Sequence, residues 1–274
     1  MTPHPWNTSF EWATPQGPFR RVTDAQAAQF DELGFVVLED LVDAATVAEI
    51  TDELDAYEAK VDQFLRTQDG GRMMIAETGA ITFTTHLVAQ SAVAKEFATL
   101  PVFLDICADL LGPDVDMYWD QAVYKHHEKP RRFPWHQDNG YTFIEPQQYL
   151  TIWVALTDAT VENGCPWVAP GVHRMGTLAH GYVEPLGYEC FADPPEKVAA
   201  PVRAGGAVVF SSLTPHLTGP NTTDAVRKAY ILQYSHADSV VLRGEANAGP
   251  PVTREPCNAP DRQFPVLRDG QTIV

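Results

Sequence analysis

Residues that bind transition metals occur close together near the middle of the chain. His136 and Asp138 stand two positions apart, in Trp135-His136-Gln137-Asp138. Side chains alternate between the two faces of a β-strand, so residues two apart on a strand can reach the same metal ion. Two histidines and one carboxylate on one side of an iron ion leave its other positions open for small ligands. The second histidine must then come from elsewhere, and His216, which follows the apolar run 207–210, fits.

A second His-x-Asp tripeptide, at 236–238, competes with the first. It lies at the end of the last predicted strand, and no histidine follows it. On a regular strand His236 would face the side opposite to Arg227. We therefore predict a structural role for His236. On spacing alone, His136, Asp138 and His216 could be a metal site or a salt-linked surface triplet.

Arg227 makes the metal-site interpretation stronger. It lies eleven residues beyond His216, at the start of the apolar segment 227–236. A guanidinium group is planar and always charged, so at an inward-facing strand position it needs an anionic partner. That partner is either one of the many acidic side chains of the protein or the carboxylate of a cosubstrate bound beside the metal.

The elements around these residues indicate a mainly β protein with flanking helices. A capping box at 23–26, an apolar stripe within 47–65 and a proline at 101 predict three helices in the first 112 residues. Beyond Gly112, β-branched and aromatic segments alternate with turn residues, which is typical of a sandwich or barrel. The strands are predicted at 115–126, 133–138, 149–156, 166–169, 181–185, 201–204, 207–211 and 227–236, and 69–85 is predicted as a loop with some strand character.

No linker separates the two parts, so we predict one domain of 274 residues. Its helical part covers about 20–112, its barrel about 113–240, and a proline-rich extended tail follows.

The chain is 45% hydrophobic, which allows a substantial core. Its formal net charge of −17 makes nucleic-acid and anionic-membrane partners poor candidates. No apolar run reaches the roughly 18 residues of a membrane span, and the four cysteines form no metal or disulfide pattern, so a cytoplasmic protein is expected.

From about Gly112 to His236 the chain resembles the phytanoyl-CoA dioxygenase family of Fe(II)/2-oxoglutarate oxygenases. The matching pieces, in order, are 136–138, 163–165, 170–173, and 206–210 leading to His216, then Thr218 and Arg227. Their order and spacing agree with the family pattern. The resemblance implies a double-stranded β-helix, which is a jelly-roll, cupin-like barrel.

The resemblance also implies roles for individual residues. The iron ligands, which are the catalytic residues, fall on His136, Asp138 and His216, and the contacts to 2-oxoglutarate fall on Gln121, Trp153, Thr218 and Arg227. Some family members have a lysine near the segment equivalent to 82–85, where this chain has none. That segment usually borders the substrate entrance, which makes Phe83 and His86 candidate pocket residues, together with Tyr141.

The expected activity is hydroxylation of an unactivated C–H bond in a hydrophobic small molecule, such as one of secondary metabolism. The cosubstrates would be O₂ and 2-oxoglutarate, the latter being converted to succinate and CO₂. Asp138 favours hydroxylation over halogenation, because related halogenases lack this carboxylate. Two other classes remain open: a cupin-like metal-dependent isomerase or hydrolase, and a non-catalytic binding protein for small molecules. The sequence carries no signal for the oligomeric state.

Overall fold

The computed structural model describes residues 1–128 and 133–274. Its helices are α1 (Asp24–Leu33), α2 (Ala44–Arg66), α3 (Ala92–Ala98) and α4 (Pro101–Leu110). Its strands are β1 (Phe35–Leu38), β2 (Arg72–Met73), β3 (Ala76–Glu77), β4 (Ile81–Thr85), β5 (Val115–Lys125), β6 (Ile144–Glu145), β7 (Leu150–Ala155), β8 (Pro166–Val168), β9 (Gly181–Val183), β10 (Gly187–Glu189), β11 (Val198–Ala199), β12 (Ala207–Ser211), β13 (His216–Thr218), β14 (Arg227–His236), β15 (Val240–Arg243), β16 (Thr253–Pro256), β17 (Phe264–Arg268) and β18 (Gln271–Thr272). None of the described helices combines the length and apolar composition needed to cross a bilayer.

The three predicted helices are confirmed. Helix α1 starts at the Thr23 capping box and ends at Gly34, whose φ of 82° closes the helix in the left-handed region. Asp43 caps α2, and Pro101 opens α4. A fourth helix, α3, was not predicted; the Ser91 side chain caps it.

The strands form a jelly roll, as the sequence predicts. The major sheet has the strand order β1-β12-β7-β14-β5-β4-β3-β2, and β17 also pairs with β5. A smaller sheet, with the order β11-β8-β13, contributes the second wall. One apolar cluster joins the helices to one face of the major sheet and includes Phe103 and Leu232, whereas a second joins the other face to the small sheet and includes Val168 and Phe210. The functional residues lie on the side of the second cluster.

Two predicted strands are wrong, at 133–138 and at 201–204. In the first segment, residues 135 and 136 each form only an isolated bridge, and Asp138 already begins a 3₁₀ turn. Pro134 has no N–H to donate, and Asn139-Gly140 favours a turn, so a regular ladder cannot continue. In the second segment Val202 makes a single bridge to Ala159, between a proline and a glycine pair.

The segment 69–85 and the C-terminal segment contain more sheet than expected. Strands β2 to β4 extend the major sheet beyond β5. The C-terminal segment is extended, but it does more than cover the surface: β17 pairs with β5, and Val266 and Leu267 are fully buried.

Candidate active site

His136, Asp138 and His216 meet at one end of the space between the two sheets. Their potential ligand atoms all lie within 4.8 Å of one another, and no other such group occurs in residues 1–128 and 133–274. A backbone bridge brings the two histidines together: the His136 N–H donates to the His216 carbonyl at 3.1 Å, and the reverse bond is 2.9 Å. Directly opposite residues of such a pair project to the same side. This bridge, and not a regular strand, therefore gives the cluster its geometry.

Both imidazole rings are oriented by hydrogen bonds to backbone carbonyls. Nδ1 of His136 donates to Pro134 O at 3.1 Å, and Nδ1 of His216 donates to Thr214 O at 3.0 Å. The proton on Nδ1 leaves the Nε2 lone pair of each ring available for a metal, which is the usual arrangement of outer-shell partners. Nε2 of His216 lies 3.7 Å from Oδ1 of Asp138.

The carboxylate of Asp138 is fixed by a residue that the sequence did not reveal. The Thr151 hydroxyl donates to Oδ2 of Asp138 at 2.6 Å, and Nε2 of Gln233 donates to that hydroxyl at 3.3 Å. Oδ2 is thereby occupied, and Oδ1 faces His216. Thr151 stands two positions before Trp153 on β7, so strand parity was the one signal that could have pointed to it.

The protonation state of His136 also suits a metal. Burial, and then the neighbouring His216, hold the pKa of His136 well below its usual value. The ring is therefore neutral at physiological pH, as a metal ligand must be. Two imidazoles whose Nε2 atoms are not engaged with the backbone, together with a carboxylate, fit Fe(II).

Arg227 is fully buried, next to Trp153, which lines the cavity beside the metal-ligand cluster. Nη1 donates to Val123 O at 3.3 Å, but Nε and Nη2 have no hydrogen-bond partner among the described residues. The guanidinium carbon lies 5.0 Å from the centre of the Trp153 ring. Burial lowers the pKa of Arg227 to about 10, although Glu128 acts in the opposite direction, so the group stays charged at neutral pH. Two buried, charged donors without acceptors fit the far carboxylate of 2-oxoglutarate.

The other residues expected at the cosubstrate also come together. Gln121, Trp153 and Thr218 all line the cavity beside the metal-ligand cluster. Sequence reasoning missed Lys125, which pairs across β5 and β14 with Arg227 and is equally buried. Its Nζ donates to Gly219 O at 2.6 Å and to Thr218 O at 3.3 Å.

The position of Lys125 bears on the lysine that some relatives have near 82–85. Lys125 is the cross-strand partner of Ile81 on β4, so a buried cation does lie beside that segment. It comes from the neighbouring strand. Lys125 shares strand parity with Gln121, which would have indicated an inward position.

The cavity has a volume of about 420 Å³ and a mainly apolar wall. Phe83 and Tyr141, which are predicted substrate contacts, are among its lining residues. His86 is not a lining residue; its ring packs against Trp119 with centroids 4.3 Å apart, and Trp119 faces the cavity. The aromatic lining residues are Phe83, Tyr118, Trp119, Phe133, Tyr141, Tyr149, Trp153 and Phe210.

His236 lies outside the metal-ligand cluster, in agreement with its predicted structural role. It ends β14, and the register shift at Gln233 and Tyr234 skips Tyr118 of β5, so the residue parity of β14 itself is unbroken. Ile231 and Gln233 of β14 line the cavity, so His236 has the opposite strand parity.

A jelly roll that carries this cluster and a buried arginine defines the class of non-haem Fe(II)/2-oxoglutarate-dependent dioxygenases. The family model described as "Phytanoyl-CoA dioxygenase (PhyH)" matches residues 30–229, and the chain belongs to this family. The chain is 26% identical to the methylphosphonate hydroxylase of Gimesia maris over 82% of its own length and 85% of that protein.

Two solved structures are similar as well. EvdO2 of Micromonospora carbonacea var. aurantiaca, complexed with 2-oxoglutarate, is 25% identical with a TM-score of 0.63, over 87% of this chain and 97% of that one. The epimerase SnoN, in complex with Fe³⁺, alpha ketoglutarate and nogalamycin RO, has a TM-score of 0.67 at 23% identity, over 88% and 97% of the two chains. At that identity SnoN supports the fold alone.

Proposed function

We propose that this dioxygenase hydroxylates an unactivated C–H bond of a hydrophobic small molecule of secondary metabolism and converts 2-oxoglutarate to succinate and CO₂. The observation that carries the proposal is the composition of the cavity wall beside the metal-ligand cluster. Aromatic side chains are joined there by Ile75, Ile81, Leu186 and Leu217. In the described parts of the chain no lysine or arginine lines this cavity.

In this proposal His136, Asp138 and His216 hold Fe(II). Bound iron supplies the activation of O₂, coupled to the oxidation of 2-oxoglutarate. The protein contributes geometry: backbone carbonyls orient the two imidazoles, and Thr151 keeps one carboxylate oxygen of Asp138 turned to the metal position. An intact carboxylate at 138 favours hydroxylation over halogenation.

Arg227 and Thr218 bind the far carboxylate of 2-oxoglutarate in this proposal, and Gln121 and Trp153 border the rest of the cosubstrate. A guanidinium group matches a carboxylate with two parallel hydrogen bonds, which fixes direction as well as position. Because Arg227 is fully buried, water competes little for these donors. Trp153 flanks the guanidinium and limits its movement.

The substrate would lie against Phe83 and Tyr141, on the apolar side of the cavity. His86 is not proposed as a direct contact, because it packs behind Trp119. Similar proteins are named for a small phosphonate and for a nogalamycin compound. An apolar wall without described cations favours an uncharged hydrophobic substrate over a phosphonate.

We also propose that the chain acts as a single domain and works in the cytoplasm, where its four free cysteines would remain reduced.

The proposal is tested by succinate release from 2-oxoglutarate under air, with Fe(II)-loaded protein and no added substrate. We expect slow release that depends on iron and is lost in His216→Ala. His236→Ala is the matched control, because it removes the histidine of the other His-x-Asp tripeptide. Absence of succinate in the iron-loaded parent, with or without hydrophobic candidate substrates, would favour a binding protein. Conversion of a substrate without any use of 2-oxoglutarate would favour a cupin-like isomerase or hydrolase.

A further inference from the structure

A hairpin made of β9 and β10 stands at the mouth of the cavity. Its two strands pair with each other and with no other described strand. Leu186, in the turn between them, lines the cavity wall. Tyr182 and Tyr188 are directly opposite each other in the hairpin register. The hairpin is therefore continuous with the active site but is not part of either barrel sheet.

Three tyrosine rings form a row that leads from this hairpin to the metal-ligand cluster. The rings of Tyr182 and Tyr188 have centroids 5.5 Å apart, and those of Tyr188 and Tyr141 are 5.4 Å apart. Tyr141 in turn lies 5.2 Å from the ring of His136. All three contacts are edge-to-face, and the three tyrosines are 46%, 38% and 47% exposed in the order given. The row thus offers open aromatic surface along its whole length.

The position of the hairpin is fixed by specific contacts. The phenol ring of Tyr141 lies against the hairpin at Gly187 and Tyr188. Gly187 has a φ of +112°, and a Cβ there would lie 2.7 Å from the Tyr141 phenol oxygen. Just beyond the hairpin, the Cys190 N–H donates to Trp135 O at 2.8 Å. Because Gly187 has no side chain, Tyr141 and the hairpin can approach this closely. The fold therefore holds the three tyrosine rings in a defined arrangement.

We infer that Tyr141, Tyr182 and Tyr188, here called the tyrosine platform, bind a flat, uncharged ring system of the substrate at the cavity mouth. The inference rests on the proposed function and specifies its substrate class. A cavity of about 420 Å³ lies at the lower end of small-molecule sites. Because it must also hold 2-oxoglutarate, a larger substrate extends out of it, past Tyr141 and onto the hairpin.

The chemistry of the platform favours this occupant. Tyrosine rings attract other rings through offset-stacked or edge-to-face contacts. Segment 181–189 contains glutamates at 184 and 189 and no lysine or arginine, so the hairpin itself supplies no cation for an anionic ligand. Three half-exposed tyrosines present at most a few hundred Å², short of the roughly 800 Å² that each partner buries in a stable protein interface.

The test uses anthraquinone as a planar, uncharged probe, and its binding is followed by quenching of tryptophan fluorescence in the full-length protein. Removal of two ring contacts in the double variant Tyr182→Ala/Tyr188→Ala should weaken probe binding roughly ten- to a hundredfold. Tyr188→Phe keeps the ring and should bind nearly as well as the parent. The matched control is Phe64→Ala, which removes an equally exposed ring on α2 that is outside the cavity lining.

Equal affinity of the parent and the double variant for anthraquinone, or no binding to the parent, would overturn the inference. Self-association of the parent that disappears in the double variant, without a change in probe affinity, would also overturn it by making the row a protein interface. The proposed function is judged separately. Probe binding that depends on the tyrosines, in a protein that releases no succinate, would retain the platform and reject the oxygenase reaction.

Discussion

Arg227→Lys is expected to weaken the binding of 2-oxoglutarate while iron binding stays near that of the parent. Arg227 is separated from the metal-ligand cluster, and its Nε and Nη2 have no partner among the described residues. In the proposed complex these two donors meet one carboxylate. A lysine keeps a positive charge but cannot reproduce the planar pair of donors.

The size of the effect follows from the number of donors. Hydrogen bonds to charged groups contribute about 1.5–3 kcal/mol each. The loss of one of the two in Arg227→Lys should raise the half-saturating concentration of 2-oxoglutarate roughly ten- to a hundredfold, at about 1.4 kcal/mol per factor of ten. Arg227→Ala removes both donors and should have a larger effect. Lys125, although buried nearby, is engaged with the carbonyls of Thr218 and Gly219, so it should compensate only in part.

The assay is a titration of 2-oxoglutarate against each iron-loaded variant, with succinate as the measured product and iron content determined in parallel. Lys228→Met is the matched control, because Lys228 follows directly on β14 but pairs with Asp55 away from the cavity. Its half-saturation should equal that of the parent. An unchanged half-saturation in Arg227→Ala would refute the reasoning and reduce Arg227 to a structural ion pair. Loss of iron in Arg227→Lys would show that the arginine acts on the fold of the site instead.

Three further outcomes are expected. His216→Ala should fold but bind no Fe(II), as shown by metal analysis, whereas parental iron content in this variant would reject the ligand assignment. Thr151→Val, which keeps side-chain shape but loses the bond to Asp138, should weaken Fe(II) binding roughly ten- to a hundredfold in a metal titration, and unchanged affinity would mean that the hydroxyl does not position the carboxylate. His173 is fully buried, and burial lowers its pKa to about 4 in the folded protein, whereas a histidine in the unfolded chain titrates near about 6.5. As the pH falls below about 6.5, the unfolded chain binds this proton and the folded protein does not, so unfolding is favoured. Because of this residue, the free energy of unfolding should fall on the order of 2 kcal/mol between pH 7 and pH 5. Urea denaturation at the two pH values should show a smaller fall in His173→Asn than in the parent. An equal fall in both proteins would contradict the assigned cause.

Several features of the fold could be predicted from sequence because they depend on local chemistry. Thr23, Asp43 and Pro101 mark helix starts through capping bonds or a fixed φ, and these preferences act within a few residues. The alternation of β-branched and aromatic segments with turn residues beyond Gly112 indicated a sandwich or barrel for the same reason, and the family resemblance specified the jelly roll. Where pairing depends on distant partners, prediction was less reliable, as at 133–138 and 201–204, because a strand exists only if a neighbour offers a matching ladder.

The candidate site divides in a similar way. Residue type and spacing made His136, Asp138, His216 and Arg227 candidates for metal and carboxylate binding, and the family resemblance assigned them to one site. Only the tertiary structure decided how they meet. A backbone bridge joins the two histidines, which are eighty residues apart in the sequence, and Asp138 lies in the 3₁₀ turn that follows this bridge.

The tertiary structure also decided which neighbours complete the site. The bond from Thr151 to Asp138 and the placement of Lys125 beside Arg227 depend on strand register. The same holds for His86, which the sequence placed at the pocket and the fold turned behind Trp119. Strand register is set by the simultaneous packing of both faces of the sheets. The residues of one local segment therefore do not determine which strand will lie beside it.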